Sequence, residues 1–101
     1  MDFEMIAANQ LDRYVGNADA MIIDLREPED YRRRHIKGAV NIPYSRLNGN
    51  YTFPMDMVLV LYCERGASSL SAAKMLTAAG YHVKTVVGGL RSYRGNMTET
   101  Y

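Results

Sequence analysis

The chain has one cysteine, Cys63, in 101 residues, and no tryptophan. A lone thiol cannot close an internal disulfide, form a CxxC redox pair or build a zinc knuckle. If Cys63 does chemistry, it acts alone or with a partner molecule. No apolar run approaches the roughly 20 residues that span a bilayer. The opening stretch MDFEMIAANQ is acidic and lacks the basic and then apolar segments of a secretory signal, so a cytoplasmic protein is expected. An excess of either charge is also missing: the formal net charge is +1 and the two signs are interspersed. That disfavours nucleic-acid binding, which calls for a strongly basic face. There is no internal repeat and no low-complexity segment.

What is present is an apolar content of 48%, enough for a packed core, in a length near the commonest domain size. Residues 1–101 are therefore read as one domain. Glycine and proline punctuate a regular alternation of patterns. Phe3 to Ile6 reads as a short strand and Ala8 to Val15 as a short helix. Ala20 to Ile23 is a buried strand closed by Asp24. Glu27 to His35 reads as a compact helix, with Pro28 in its first turn, acids at its start and bases at its end. Ala39 to Ile42 is a short strand stopped by Pro43, and a turn falls at Asn48-Gly49-Asn50. Val58 to Tyr62 is the strongest strand; it lacks polar alternation, so both faces should be covered. Ala67 to Ala79 reads as a helix with Leu70, Ala73, Met75 and Leu76 inward, ended by Gly80. His82 to Val87 is a further strand, broken by Gly88-Gly89, and Leu90 to Arg94 a last helical turn. Strands alternating with helices imply an α/β fold with a mainly parallel sheet covered on both faces. In such sheets, sites form beyond the carboxyl ends of the strands. Cys63 lies there.

The stretch Leu61-Tyr62-Cys63-Glu64-Arg65-Gly66-Ala67-Ser68-Ser69 runs from strand through a short loop into a helix. The thiolate is the nucleophilic form of cysteine. A helix N-terminus favours an anion, and Gly66 with small Ala67, Ser68 and Ser69 lets the backbone curl into an anion nest. Arg65 adds a positive charge that Glu64 partly cancels. Asp24 and Arg26, at the end of a neighbouring strand, can reach the same space. Such a loop suits sulfur transfer, phosphate-ester hydrolysis or anion binding; the alternative is a cysteine that is merely a small buried hydrophobe.

These motifs, taken together, resemble the rhodanese family of sulfurtransferases over nearly the whole chain. Asp24-Leu25-Arg26, followed by His35-Ile36-Lys37-Gly38-Ala39-Val40-Asn41-Ile42-Pro43, is similar to that family's first signature. Leu61-Tyr62-Cys63 with Gly66 and Ser69 resembles its active-site loop, and Ala79-Gly80-Tyr81 and Val87-Gly88-Gly89-Leu90 resemble later markers. The resemblance implies a three-layer fold with a mainly parallel five-stranded sheet between helices. It implies that Cys63 accepts a sulfane sulfur as a persulfide and passes it to a nucleophilic acceptor. Residues Cys63 to Ser68 would then form the cradle, with no metal or organic cofactor. The implied partners are a small-molecule sulfur donor or a thiol or persulfide protein. The chain departs from the pattern twice. Many members carry arginine where this chain has Ser68, and a tryptophan after the Gly-Gly pair, where Tyr93 is the nearest aromatic. The first departure leaves open whether the donor is thiosulfate, a small thiol or a protein persulfide. A binding module that keeps the fold without turnover is the alternative. Cysteine-dependent phosphatases and arsenate reductases resemble a Cys-x5-Arg pattern, which Ser69 does not satisfy.

Asp24 reads as a structural carboxylate capping the next turn, the alternative being that it orients loop residues or pairs with Arg26. Arg26 reads either as an anion contact or as a partner of Glu29 or Asp30. His35 reads as a structural histidine holding the turn to Gly38, and His82 as solvated. Arg32-Arg33-Arg34 is a solvated helix end or a dock for an acidic protein. Tyr44, Tyr51 and Tyr93 can supply aromatic walls to a donor pocket.

Overall fold

A computed structural model describes residues 3–47, 49 and 52–101. Asn48 and Asn50 of the expected turn, and Tyr51, lie outside the described residues. In chain order the strands are β1 (Glu4–Ala7), β2 (Ala20–Asp24), β3 (His35–Ile36), β4 (Val40–Asn41), β5 (Val58–Tyr62), β6 (His82–Val87) and β7 (Thr98–Glu99). The α-helices are α1 (Pro28–Arg33) and α2 (Ala67–Ala78), and 3-10 helices cover Ala8–Arg13, Tyr44–Arg46 and Leu90–Ser92.

Five strands form one sheet in the order β1-β6-β5-β2-β4, and every pair in it is parallel. The central strand β5 shows why no polar alternation was needed. Val60 and Tyr62 enter a core with Ile6, Leu11, Ile22, Tyr31 and Leu90, beneath α1 and two of the 3-10 helices. Leu59, Leu61 and Cys63 enter the opposite core with Ile23, Leu25, Ala72, Ala73 and Leu76, beneath α2. Each large aliphatic side chain buried in this way stabilises the fold by about 1.5–3 kcal/mol relative to exposure. The layers are therefore those expected, although short 3-10 helices do much of the covering on the first face. Among the described residues, no helix is long and apolar enough to cross a membrane.

Helix α2 begins after Gly66 and ends in a Schellman motif. Gly80, at φ +98°, donates its N–H to the Thr77 carbonyl, and the Tyr81 N–H reaches the Leu76 carbonyl. Its buried stripe is Ser69, Ala72, Ala73 and Leu76, whereas Leu70 and Met75 are only partly buried. Ala73 and Leu76 thus face inward as expected, while the small Ser69 and Ala72 take the fully buried places expected for Leu70 and Met75 and let the helix backbone approach the sheet closely.

The stretch from Glu27 to His35 is not one helix. α1 stops at Arg33, and Arg34 is extended at φ −171° and ψ 131°. His35 and Ile36 then pair antiparallel with Glu99 and Thr98. That long-range pairing converts the predicted helix end into strand. His35 is fully buried and stacks on Tyr31 with ring centroids 3.8 Å apart. Its Nδ1 lies 2.6 Å from the Tyr31 carbonyl and its Nε2 3.1 Å from Glu99. The histidine thus ties α1 to β7, and it does not line the Cys63 cleft described below. His82 is exposed, as expected.

Candidate active site

The carboxyl ends of β2 and β5 lie side by side, with Asp24 in register with Tyr62. One residue further on, the chain turns at Cys63 toward α2. Gly66 caps that helix at φ +109° and ψ −17°, in the left-handed region that glycine enters without a side-chain clash. With the chain folded back in this way, the Gly66 N–H donates to Cys63 Sγ at 3.0 Å and the Ser69 N–H at 3.4 Å. The sulfur therefore sits at the positive end of a 12-residue helix, where negative charge is favoured by about 0.3–1 kcal/mol or more when partly buried.

Ser69 anchors this arrangement from behind. Its hydroxyl donates to the Gly66 carbonyl at 3.1 Å and accepts from Thr85 Oγ1 at 3.0 Å. Thr85 is buried on β6, and nothing local in His82-Val83-Lys84-Thr85-Val86-Val87 marks it as a support of the loop. A second support comes from the Gly88-Gly89 turn. The Leu90 N–H donates to the Cys63 carbonyl at 2.8 Å and the Arg91 N–H to the Glu64 carbonyl at 3.1 Å. Gly89 stands so close that an added Cβ would lie 2.5 Å from the Cys63 carbonyl oxygen and 2.4 Å from that of Glu64.

Asp24 and Arg26 form a buried pair beside the loop. Asp24 is fully buried, and its Oδ1 accepts the Arg26 backbone N–H at 2.9 Å, closing the turn after β2. Its Oδ2 meets Arg26 Nη2 at 2.9 Å. Arg26 Nη2 also donates to the Arg34 carbonyl at 2.5 Å and Nη1 to Glu64 at 3.2 Å. Burial opposes the guanidinium charge, but the hydrogen bond and charge of Asp24 outweigh it and hold Arg26 protonated beyond its ordinary range. Neither Glu29 nor Asp30 is its partner. Beneath it, burial, and then the Asp24 charge, push the Tyr62 phenol well up from its ordinary value. Asn41 completes the support by donating to the Asp24 and Arg26 carbonyls at 3.1 and 2.9 Å.

Cys63 opens on a cleft of about 430 Å³ whose lining includes Arg26, Glu64, Arg65, Ala67 and Ser68 from the expected set. Leu25, Glu27, Asp30, Tyr44 and Ser45 line the rest of it. Tyr44 thus stands where an aromatic wall was expected. Tyr93 does not: it is buried in the other core, with its hydroxyl donating to Asp12 at 2.6 Å. The rim is mixed in charge. Glu27, Asp30 and Glu64 face Arg26 and Arg65, and Arg26 is already paired with Asp24 and Glu64. Arg65 is left as the cleft's cation without an ion pair among the described residues.

The family model for the Rhodanese-like domain matches residues 7–96. The chain is 33% identical over 101 residues to thiosulfate sulfurtransferase GlpE of Stutzerimonas stutzeri, with 92% of this chain and 86% of that protein covered. It is 35% identical over 82 residues to the tRNA sulfurtransferase of Desulfurococcus amylolyticus, covering 81% of this chain but only 16% of that protein's length. The fold is similar to that of a rhodanese-like domain protein from Staphylococcus aureus, with a TM-score of 0.85, 22% identity and coverage of 98% and 99% of the two chains. A five-stranded parallel sheet under helices, a cysteine loop at its carboxyl edge and a family match across most of the sequence lead to one assignment: the chain belongs to the rhodanese-like domain family.

Proposed function

We propose that this domain is a sulfurtransferase in which Cys63 carries a sulfane sulfur as a persulfide. The observation that supports it most is the pair of N–H groups, from Gly66 and Ser69, aimed at Cys63 Sγ beside an open cleft. The Cys63 thiolate attacks the outer sulfur of a donor persulfide, R–S–SH. A sulfur–sulfur bond forms to Cys63, the donor's sulfur–sulfur bond breaks, and R–S⁻ leaves. An acceptor thiolate then attacks the outer sulfur of Cys63–S–SH, takes it as a new persulfide and regenerates the Cys63 thiolate. No net oxidation or reduction occurs.

In this reading the loop from Cys63 to Ser68 cradles the transferred sulfur, with Ser69 adding its amide from the first turn of α2. Asp24 and Arg26 are positioning residues: their ion pair holds Glu64 and the turn after β2. Arg65 is the charge an incoming anion meets. Three carboxylates on the rim repel a dianion such as thiosulfate, and no arginine stands at Ser68 to offset them. A thiol-borne persulfide, with less charge, is therefore the preferred donor.

The test is a transfer assay with a low-molecular-weight persulfide or thiosulfate as donor and dithiothreitol as acceptor. The wild-type protein transfers sulfur, faster from the persulfide, and Cys63→Ser does not. Equal rates for the two proteins would overturn the reading. A folded wild-type protein with no transfer from either donor would leave a binding module in its place.

A further inference from the structure

On the far side of the Arg26–Glu64 bridge lies a second cleft, of about 310 Å³, that the sulfur chemistry does not use. It shares Arg26, Asp30 and Glu64 with the Cys63 cleft, so the bridge is a common wall. Its other charged lining is Arg33 and Arg34, from the end of α1, and Arg91, from the 3-10 helix after β6. Arg33 reaches Asp30 at 3.5 Å. Arg34 and Arg91 have no carboxylate partner among the described residues. Arg34 lies over the Tyr93 ring at 5.9 Å, and among the described residues the neighbouring Arg94 side chain binds only the Arg91 and Tyr93 carbonyls, at 2.9 and 3.4 Å. All four of these arginines are exposed.

We propose that this arginine cleft docks an acidic segment of the protein that receives or delivers sulfur at Cys63. The proposal rests on the sulfur-transfer reading above. Charge complementarity argues for this occupant. Guanidinium groups bind carboxylates in a bidentate fork and retain affinity where a diffuse charge would not. A segment seated against Arg34 and Arg91 lies one side chain away from the Cys63 cleft, across Glu64. It brings a thiol of the partner to the sulfur while small acceptors enter without it. A nucleic-acid backbone fits less well. Asp30 and Glu64 oppose phosphates, the patch is too short for the many contacts such binding draws on, and Tyr93 is buried under Arg34 rather than open for base stacking.

The experiment uses a fluorescein-labelled peptide of six glutamates ending in Gly-Gly-Cys, with lysine and serine counterparts. Binding is read by anisotropy with the thiols blocked, and sulfur acceptance from loaded protein with the thiols free. The glutamate peptide binds wild-type protein more tightly than either counterpart, and added salt weakens it. Arg34→Glu/Arg91→Glu loses about tenfold or more of that affinity. The same variant lowers acceptance by the glutamate peptide relative to its own dithiothreitol rate. Arg34→Lys/Arg91→Lys, which keeps the charge but not the fork, binds more weakly than wild type and more tightly than the glutamate variant. Unchanged circular dichroism spectra of both variants show that the losses are not misfolding. Equal binding of the glutamate and lysine peptides to wild-type protein would overturn the proposal. So would a tRNA transcript that binds more tightly than the glutamate peptide and is lost in the glutamate variant. If Cys63 takes up no sulfur while glutamate-peptide binding still depends on Arg34 and Arg91, the transfer reading falls and the docking surface stands.

Discussion

The backbone N–H of Leu90 donates to the carbonyl of Cys63 at 2.8 Å, joining the end of β5 to the turn after β6. Through this bond the two loops behave as one piece. The cysteine loop is held from outside by Leu90 and Arg91, and from inside by Ser69 and Thr85. A loop supported from both sides can keep two amides aimed at a sulfur before any substrate arrives, which is where electrostatic stabilisation gains its effect.

Gly89→Ala breaks this link. The residue has φ +65°, and a Cβ there would press on the Cys63 and Glu64 carbonyl oxygens at 2.4–2.5 Å. Urea unfolding should show a loss of about 1–3 kcal/mol from backbone strain alone, and iodoacetamide should alkylate Cys63 more slowly than in the wild-type protein.

Thr85→Val tests the inner support. It removes the donor to Ser69 Oγ while keeping the shape of the side chain, and should cost about 1 kcal/mol of stability. Ser69 keeps its bond to Gly66, so transfer should fall less than in Gly89→Ala. Chemical denaturation with parallel transfer rates checks both halves.

Asp24→Ala leaves the buried Arg26 guanidinium with only the exposed Glu64 as counter-ion. Removing one partner of such a pair costs about 3–5 kcal/mol, and calorimetry should show a correspondingly lower melting temperature. Glu64, exposed and bound to the same arginine at 3.2 Å, is a weaker partner. Glu64→Gln should change stability by less than about 1 kcal/mol.

Ser68→Arg places a guanidinium at the position where many family members carry one. The donor preference should swing toward thiosulfate, with its KM falling about tenfold by added attraction for the dianion. Persulfide turnover should change less. An unchanged thiosulfate KM would remove the electrostatic explanation for the preference.

Alkali should weaken the fold through the buried phenols. Burial, then the neighbouring Tyr101, pushes Tyr31 up to about 12 from an ordinary 10.0, and Tyr62 moves in the same direction. The folded state thus keeps its phenol protons where the unfolded chain has begun to lose them. Stability from these groups is fully present below pH 10 and is lost as the pH rises toward 12. Urea midpoints measured across that interval should fall steadily, with tyrosinate absorbance appearing late.

Much of the fold and loop was legible because its signals are local. Val58 to Tyr62 is apolar without alternation, Cys63 follows it at once, and Gly66 and Gly80 bracket a run of small helix formers. The unforeseen parts depend on contacts distant in sequence. Nothing in Thr98-Glu99 announces a strand until His35 and Ile36 lie beside it. Arg26 pairs with Asp24, two residues away and one of the expected arrangements, rather than with Glu29 or Asp30; its bond to Glu64, thirty-eight residues away, was not expected. Thr85 and Leu90 support the cysteine loop only because β6 is the neighbour of β5 in the sheet.

The account turns on whether the Cys63 sulfur accepts and holds another sulfur. The most direct measurement is the intact mass of the protein after exposure to a low-molecular-weight persulfide, followed by peptide mapping. The account predicts a gain of one sulfur atom on the Cys63 peptide, reversed by dithiothreitol and absent in Cys63→Ser. A folded wild-type protein whose mass stays unchanged would contradict it.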